Sequence, residues 1–314
     1  MFHDESVPPT PRRRPSLTAV AAVAVLGVGL TGCGGDGGGL VGAGAGKGGD
    51  AVPSSAAPSA PASPSPSPSR TGPSPSPSKK PAASPSKAPS GPLSGRTVVI
   101  DPGHNPDNRL HTAEINRQVD IGTTRKECDT TGTATNSGYA EASFTLDVSR
   151  RLRTLLRAQG AKVVLTHDGD RPYGPCVDER ARIGNRAKAD AVVSVHADGS
   201  AAGNRGFHVI LPASVRGGGA DTSKITGPSR DLGTRIAGLF VRATGSSPSN
   251  YIGGGTGLDT RGDLGGLNLS TVPKVFIECG NMRDPKDAAL LTSAGWRQKA
   301  AQGIADGISS YLNG

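Results

Sequence analysis

Short β-branched runs alternate with helical patterns from residue 95 to the end of the chain, and this alternation constrains the fold more than any other feature. Five runs have the length and composition of strands: Thr97–Asp101, Lys162–Thr166, Ala191–Val195, Gly206–Leu211 and Lys274–Glu278. Helical patterns of apolar residues occur in residues 137–160, 177–189, 229–245, 284–293 and 294–312. Strands that alternate with helices predict an α/β domain with a largely parallel sheet between helices.

The first 32 residues have the form of an export signal. Arg12–Arg14 precede an apolar run from Leu17 to Leu30, which is too short for an ordinary membrane span. The run ends in "LTGC", which resembles the lipobox of bacterial lipoproteins, where the signal is cut before the cysteine and the thiol carries a diacylglycerol. We therefore expect a lipoprotein-type signal peptide over residues 1–32 and lipidation of Cys33, with a plain signal peptide as the alternative.

Residues 33–94 have the composition of a linker. They are rich in Gly and then in Pro, Ser and Ala, with "PASPSPSPSRTGPSPSPSKKP" in the middle. This segment lacks the apolar side chains that would offset the entropy of ordering, so it is predicted to be disordered. Its Pro-rich part is expected to be a semi-rigid spacer of ~3 Å per residue. Residues 95–314 are then the folded domain, which the linker would hold away from a membrane. A linker that is only a passive tail is also compatible with this composition.

The charge of the chain limits its partners. The formal net charge is +9, and part of it lies before residue 95. Such a mild excess suits an anionic polymer or a membrane surface. Basic residues are not interleaved with aromatic ones, so no nucleic-acid partner is predicted. Nothing in the sequence indicates an oligomer, and a monomer is expected.

Three cysteines follow the linker. Cys128 and Cys176 lie in loop-like segments, whereas Cys279 follows an apolar strand and is expected to be buried. In an exported protein a pair of cysteines is expected to oxidise. We therefore predict a Cys128–Cys176 disulfide that pins a long Gly- and Thr-rich insertion.

Side chains that can bind a metal or transfer a proton lie at the ends of predicted strands. His104 follows the first strand, His196 follows the third directly, and Glu278 closes the fifth. In an open α/β sheet, sites collect at the carboxyl ends of the strands. If these strands are parallel, the three side chains reach the same edge, although a lone histidine after a strand is more often structural.

Glu141 joins this group through its helical spacing. It lies on the same stripe as Val148 and Leu152, at the amino end of the helix, so it faces the core. A carboxylate there needs a strong partner, yet a Glu in a first turn also stabilises the helix dipole. Alone, its role stays open between cap and ligand. With the two histidines it completes a catalytic zinc arrangement with an open position, for which Glu278 would be the general base.

Four segments carry a resemblance to a known family: "VVIDPGHN", "SGYAEASFTLDVSRRL", "VVSVHADG" and "VFIECGNMRDPKDAALL". In this order they resemble the successive motifs of the zinc-dependent N-acetylmuramoyl-L-alanine amidases of bacterial cell walls, the type 3 amidase family. The resemblance covers most of residues 96–312. It is closest to actinobacterial members, which share the "TNSGY" stretch and a cysteine pair like Cys128 and Cys176.

The resemblance implies a site and a fold. His104, Glu141 and His196 fall on the zinc-ligand positions, with one Zn²⁺ per domain, and Glu278 falls on the catalytic glutamate. The family's sheet has six strands, so one edge strand is not placed by the patterns. The expected fold is thus α/β: a single domain with a mixed, mostly parallel sheet of about six strands flanked by helices, preceded by the disordered linker.

The resemblance also implies a reaction and a location. The substrate is peptidoglycan or muropeptides, and the reaction is hydrolysis of the amide between the lactyl group of N-acetylmuramic acid and the first L-alanine of the stem peptide. The domain is expected outside the cytoplasm, anchored in the membrane at Cys33 and facing the wall. The alternatives are a zinc peptidase or deacetylase acting on another wall amide, and a non-catalytic wall-binding or regulatory domain. The intact ligand set and base disfavour the last.

Several other polar residues have weaker claims to function. His208 is expected to be a satisfied sheet residue, with a side chain that faces the substrate as the alternative. Asp198 either orients an imidazole or forms a turn, and Asp101 either braces the Pro-Gly turn or binds a ligand. Arg261 and Asn268, in the last Gly-rich segment, are weak candidates for binding a stem-peptide carboxylate.

Overall fold

The structure, a computed structural model, describes residues 90–314. The predicted signal peptide, the lipidation site Cys33 and residues 33–89 of the predicted linker lie outside the described residues. Leu93 is fully buried in the core, and its backbone N–H donates to the Gln159 carbonyl over 2.9 Å. The packed part of the chain therefore begins a few residues before the predicted boundary between 94 and 95, because Leu93 covers the end of the first long helix.

Residues 90–314 contain ten strands and seven α-helices. The strands are β1 (Thr97–Pro102), β2 (Gln118–Asp120), β3 (Arg125–Glu127), β4 (Lys162–Leu165), β5 (Ala191–Asp198), β6 (His208–Pro212), β7 (Arg216–Gly217), β8 (Ala220–Asp221), β9 (Leu258–Arg261) and β10 (Lys274–Asn281). The helices are α1 (Thr112–Ile115), α2 (Glu141–Ala158), α3 (Val177–Arg186), α4 (Thr226–Thr244), α5 (Gly265–Asn268), α6 (Pro285–Leu291) and α7 (Ala294–Leu312).

Within the described residues, six strands form one mixed sheet in the order β4-β1-β5-β10-β6-β9. The strands β4, β1, β5 and β10 are parallel, while β6 pairs with β10 in the antiparallel sense and β9 runs parallel to β6. The predicted mixed, mostly parallel α/β sheet flanked by helices is confirmed. Because β1, β5 and β10 are parallel neighbours, their carboxyl ends lie at one edge of the sheet.

The edge strand that the patterns did not place is β9. It lies inside the segment 246–273, where the patterns predict no strand. It has only four residues, two of them charged, and within the described sheet it pairs with β6 alone. A short polar edge strand carries no apolar run or alternation, so sequence patterns do not indicate it.

The two faces of the sheet are covered unequally. One face packs against α2, α4 and α7 and forms the main core, with strand residues Val98, Ile100, Val193, Val195, Val209, Leu211, Val275 and Ile277. On the other face, Ile183 of α3 packs near Val99 and Val192. Farther along that face, Phe276 and Glu278 of β10 line a cavity. The second face is therefore open where the parallel strands end.

A disulfide joins Cys128, just after the β2–β3 hairpin, to Cys176, just before α3. The Val177 N–H donates to the Cys128 carbonyl over 2.7 Å, so the two segments are also linked by their backbones. Among the described cysteines, Cys279 is a buried free thiol. The bridge ties the long insertion after β1 to the start of α3.

Replacing Cys128 and Cys176 together by alanine is expected to lower the free energy of unfolding by about 4 kcal/mol. The two cysteines are 48 residues apart in sequence, and the loop-closure entropy that this cross-link removes from the unfolded chain has that size. Denaturant unfolding of the full-length chain measures the loss. Cys279→Ala keeps the disulfide and is the matched control. An equal loss of unfolding free energy in Cys279→Ala would show that the disulfide does not account for the stabilisation.

Candidate metal centre

The loop after β1 places His104 beside His196. The Gly103 N–H donates to the Val195 carbonyl over 2.9 Å, which holds the loop against β5. A Cβ atom on Gly103 would lie 2.3 Å from the His196 ring, so only glycine fits. His104 follows with a φ of +61°, in the left-handed region that residues other than glycine seldom adopt. The two imidazole rings lie 5.0 Å apart.

Glu141 is the first residue of α2, and its carboxylate is fixed from two sides. Its Oε2 accepts a hydrogen bond from the Thr133 N–H over 2.9 Å, and its Oε1 accepts one from the Ala197 N–H over 3.2 Å. The residue is 4 % exposed. The helix stripe thus points this carboxylate towards the sheet edge rather than into solvent.

The three side chains converge. The Oε1 atom of Glu141 lies 3.1 Å from Nε2 of His104 and 3.0 Å from Nδ1 of His196. One ligand atom from each residue lies within 4.8 Å of the others. Nδ1 of His104 lies 3.0 Å from the Thr130 carbonyl, which only accepts hydrogen bonds, so this nitrogen carries the hydrogen. Nε2, which faces Glu141, is therefore the His104 nitrogen that is available to a metal.

The electrostatics of the cluster favour a cation. Burial lowers the pKa of His104, but the charges and hydrogen bonds of Glu141 and Asp129 together outweigh it and raise that pKa to about 10. Burial likewise opposes ionisation of Glu141, yet the charges and hydrogen bonds of His104 and His196 hold its pKa well below the usual range. Two imidazoles and one ionised carboxylate in a partly closed space are a donor set that suits zinc.

Glu278 lies beside this cluster on β10. It pairs in register with His196 of β5 on one side and with His208 of β6 on the other. Its Oε2 atom is buried and has no hydrogen-bond partner among residues 90–314. Burial, followed by the negative charges of Glu141 and Asp198, raises the pKa of Glu278 well above its usual value. A carboxyl group whose protonated form is favoured in this way suits both the acceptance and the donation of a proton.

Two cavities flank the cluster. One, of about 200 Å³, is lined by Glu278, Asp198 and Arg261 together with the three candidate ligands. The other, of about 220 Å³, lies beyond the His104 and His196 rings against Phe276 and the hairpin residue Lys126. The Phe276 ring stacks on the His196 ring with centroids 5.2 Å apart, and both rings line both cavities. A ligand that reaches the cluster has room on both sides.

A buried network of charges lies beneath the site. The Asp101 carboxylate accepts from Arg180 Nη1 over 2.8 Å and from Lys274 Nζ over 3.0 Å. It also accepts from the hydroxyls of Thr166 and Ser194. Burial raises the pKa of Asp101, but the charges of Lys274 and Arg180 outweigh it and hold that pKa far below its usual range. Of the two roles expected for Asp101, bracing the Pro-Gly turn and binding a ligand, these contacts support bracing.

Asp101 should make the fold sensitive to acid. Because its pKa is lower in the folded than in the unfolded chain, its contribution is fully present above about pH 4 and is lost as the pH falls further. Asp101→Asn leaves two buried cations unpaired and is expected to cost about 3–5 kcal/mol at pH 7. Denaturant unfolding with chelator present, between pH 3 and 7, should show the two proteins converging in stability below pH 4. A constant difference across this range would contradict the assignment.

Of the four remaining polar candidates from the sequence, two line the cavity beside Glu278 and two do not. His208 is buried on β6, and its Nδ1 has no hydrogen-bond partner in the described residues, so it is not the satisfied sheet residue that was expected. Asp198 accepts from the Tyr251 hydroxyl over 2.6 Å and lines the cavity. Arg261 lines the same cavity but is paired with Asp263. Asn268 is buried and donates to the Gly262 carbonyl, outside the cavities.

Sequence reasoning missed Arg180, Asp129 and Phe276. Arg180 sits three residues after Val177 and one before Ala181, on the apolar side of a short helix, and a charge in that place could have drawn attention. Asp129 and Phe276 carry no such signal, because their contacts with the histidines are made only in the folded chain.

Comparison with known proteins supports the resemblance seen in the sequence. A family model described as N-acetylmuramoyl-L-alanine amidase (Amidase_3) matches residues 98–310. The chain belongs to this family. It is 42 % identical over 233 residues to the N-acetylmuramoyl-L-alanine amidase Rv3717 of Mycobacterium tuberculosis, covering 74 % of this chain and 92 % of that protein.

Solved structures of the family share the fold. The crystal structure of the N-acetylmuramyl-L-alanine amidase Ami1 from Mycobacterium smegmatis aligns with a TM-score of 0.65 at 41 % identity, over 70 % of this chain and 98 % of that one. The amidase AmiC2 of Nostoc punctiforme aligns with a TM-score of 0.52 at 22 % identity, over 72 % of this chain and 99 % of that one, which supports the fold alone. The chain is thus of the actinobacterial type within its family.

Across residues 90–314, every helix falls short of the length and apolar character needed to cross a bilayer. The predicted anchor at Cys33 lies outside this part of the chain.

Proposed function

We propose that this chain is a zinc-dependent peptidoglycan amidase that cleaves between N-acetylmuramic acid and the L-alanine of the stem peptide. The observation that carries the proposal is the convergence of His104, Glu141 and His196 within 4.8 Å beside the unpartnered carboxyl of Glu278, in a chain of the amidase family. An amide is a stable bond, and its hydrolysis needs both carbonyl polarisation and proton transfer.

His104 through Nε2, His196 through Nδ1 and Glu141 through Oε1 would hold the metal. The residues fit a zinc ion: their donors are borderline nitrogen and oxygen atoms, and the backbone N–H groups of Thr133 and Ala197 fix the carboxylate. When bound, zinc supplies Lewis acidity, which polarises a carbonyl and makes water more acidic. The Thr130 carbonyl keeps the hydrogen of His104 on Nδ1, away from the metal side.

Glu278 would move the protons. Its carboxylate takes a proton from the attacking water, and the resulting acid delivers that proton to the amide nitrogen as the carbon–nitrogen bond breaks. Burial and the neighbouring charges of Glu141 and Asp198 favour the protonated form of Glu278, which raises its basicity as a carboxylate. One residue therefore serves both steps of the hydrolysis.

The substrate amide has a sugar on one side and a peptide on the other, and the site has space on both sides. The cavities of about 200 and 220 Å³ meet at the histidine rings. A substrate whose carbonyl lies at the metal site would place one arm past Arg261 and the other against Phe276. The walls come from β10, from β9 and from the disulfide-bearing insertion.

The position of the enzyme in the cell belongs to the same proposal. Peptidoglycan lies outside the cytoplasm, and the predicted signal peptide of residues 1–32 would export the chain. A diacylglycerol on Cys33, with further acylation, would anchor it in the membrane. The linker of residues 33–94 would let a monomeric domain reach the wall.

The direct test uses the full-length chain with muramyl dipeptide and with glycan-linked muropeptides. Mass spectrometry should detect free peptide that begins with L-alanine, formed with zinc and abolished by chelator. Cleavage within the peptide would indicate a zinc peptidase instead, and release of acetate would indicate a deacetylase. No product from a zinc-loaded chain would refute the enzymatic proposal and favour a wall-binding role.

A further inference from the structure

Arg180 of α3 is a buried cation whose guanidinium reaches the loop that carries His104. Its side chain is 5 % exposed. Nη1 donates to the Pro102 carbonyl over 2.5 Å, and Nη2 donates to the His104 carbonyl over 2.9 Å. Nε donates to the Pro175 carbonyl over 2.8 Å. One planar group therefore fixes the backbone on both sides of the Gly103 turn.

The same guanidinium also reaches the imidazole side of His104 through Asp129. Nη2 of Arg180 lies 2.8 Å from Oδ2 of Asp129, and Oδ1 of Asp129 lies 3.7 Å from Nδ1 of His104. Asp129 follows Cys128, whose disulfide to Cys176 ties this segment to the start of α3. The negative carboxylate therefore stands behind the ring nitrogen that faces away from Glu141.

His104 needs this support because its conformation is unfavourable on its own. A φ of +61° is costly for a histidine and persists only where surrounding contacts over-determine it. A change of φ at His104 would turn its carbonyl away from Arg180 and move its ring away from Glu141. Stability alone gives no reason for a charge here, since well-packed apolar residues often replace buried ion pairs without loss.

We propose that the Arg180–Asp129 pair positions His104 for metal binding. Arg180 holds the loop backbone in its strained conformation, and Asp129 places its negative charge 3.7 Å behind Nδ1. The Thr130 carbonyl, which follows Asp129 in the chain, accepts the Nδ1 hydrogen, so that Nε2 points at Glu141. An outer carboxylate of this kind also makes the imidazole a stronger donor to a metal. The inference rests on the proposed metal site but concerns affinity for the ion and not amide hydrolysis.

The variant that tests the pair is Arg180→Lys in the full-length chain. Lysine keeps the charge but lacks the planar fork, so it cannot bind both loop carbonyls and Asp129 together. We expect zinc affinity, measured by competition with a chromophoric chelator, to fall about 10–100-fold. Asp129→Asn, which keeps the backbone contacts of Arg180, is expected to lower zinc affinity in the same direction.

Arg297→Lys is the matched control. Arg297 of α7 is 14 % exposed, donates to the carbonyls of Leu291 and Thr292, and pairs with Asp147. It contacts none of the candidate ligands, so its replacement is expected to change the melting temperature of the metal-free protein but not its affinity for zinc.

The readouts separate a positioning role from a structural one. Melting temperatures in chelator report the fold, and the chelator competition reports the metal site. Unchanged zinc affinity in Asp129→Asn, or in folded Arg180→Lys, would overturn the inference, as would an equal loss of affinity in Arg297→Lys. If the unaltered chain binds no zinc, the proposed metal site itself fails; if it binds zinc without cleaving muropeptides, only the proposed activity fails.

Discussion

Glu278→Gln is expected to lower kcat by roughly 10²–10⁴-fold, the usual contribution of a general acid–base residue. Glutamine has nearly the same shape but neither accepts a proton from water nor returns one to the amide nitrogen. Zinc should still bind, because Glu278 is not among the converging ligands. The measurement is the rate of L-alanyl peptide release by mass spectrometry, with the zinc content determined on the same sample.

The stability of this variant provides an independent check. Burial and nearby negative charges raise the pKa of Glu278, so its ionised form is less favourable in the folded than in the unfolded chain. The neutral amide should therefore leave the melting temperature unchanged or raise it at pH 7. Glu114→Gln, on the exposed helix α1, is the control and should keep full activity. Retained activity in Glu278→Gln would exclude this residue as the base.

His196→Ala is expected to abolish both metal binding and activity. The imidazole supplies one of three metal donors. Loss of a residue that only hydrogen-bonds a ligand lowers metal affinity about 10–100-fold, and loss of the ligand itself should lower it further. Zinc at 100 times its dissociation constant should stabilise the unaltered chain by about 2.7 kcal/mol. That thermal shift should persist in Glu278→Gln and vanish in His196→Ala.

His111→Ala is the matched control for this experiment. His111 precedes α1 and pairs with Glu114 at 3.3 Å, away from the three ligands. It should keep the zinc-dependent thermal shift and the amidase activity. A His196→Ala variant that still takes up one zinc and still releases peptide would show that the metal is held elsewhere.

The contrast between these variants distinguishes the two halves of the site. Glu278→Gln separates proton transfer from metal binding, and His196→Ala removes the metal while leaving the base. Their different expected signatures follow from the sheet. His196 and Glu278 are cross-strand neighbours on β5 and β10, but His196 lies 3.0 Å from Glu141, whereas Glu278 is outside the converging ligand set. In the proposed mechanism, His196 binds the metal and Glu278 transfers the protons.

Much of the fold was predictable because its signals are local. The strands around Val99, Val193 and Val275 are β-branched runs, and α2 shows its apolar stripe with Gly160 just beyond its end. The four-residue strand β9 was not predictable, since its pairing with β6 depends on a neighbour about 50 residues away in sequence. Edge strands of this length are stabilised by tertiary contacts and not by their own composition.

The sequence by itself brought out the residues that are proposed to carry the chemistry. A histidine after one strand, a histidine on another, a glutamate closing a third and a glutamate on a helix stripe were readable because strand ends and helix faces have fixed periodicities. Only the tertiary structure decided how they are held. The left-handed turn at His104, the Asp129 carboxylate behind its ring and the Arg180 fork beneath it come from three separate segments. Contacts between distant segments leave no periodic trace, because they form only once the sheet has brought its strands side by side.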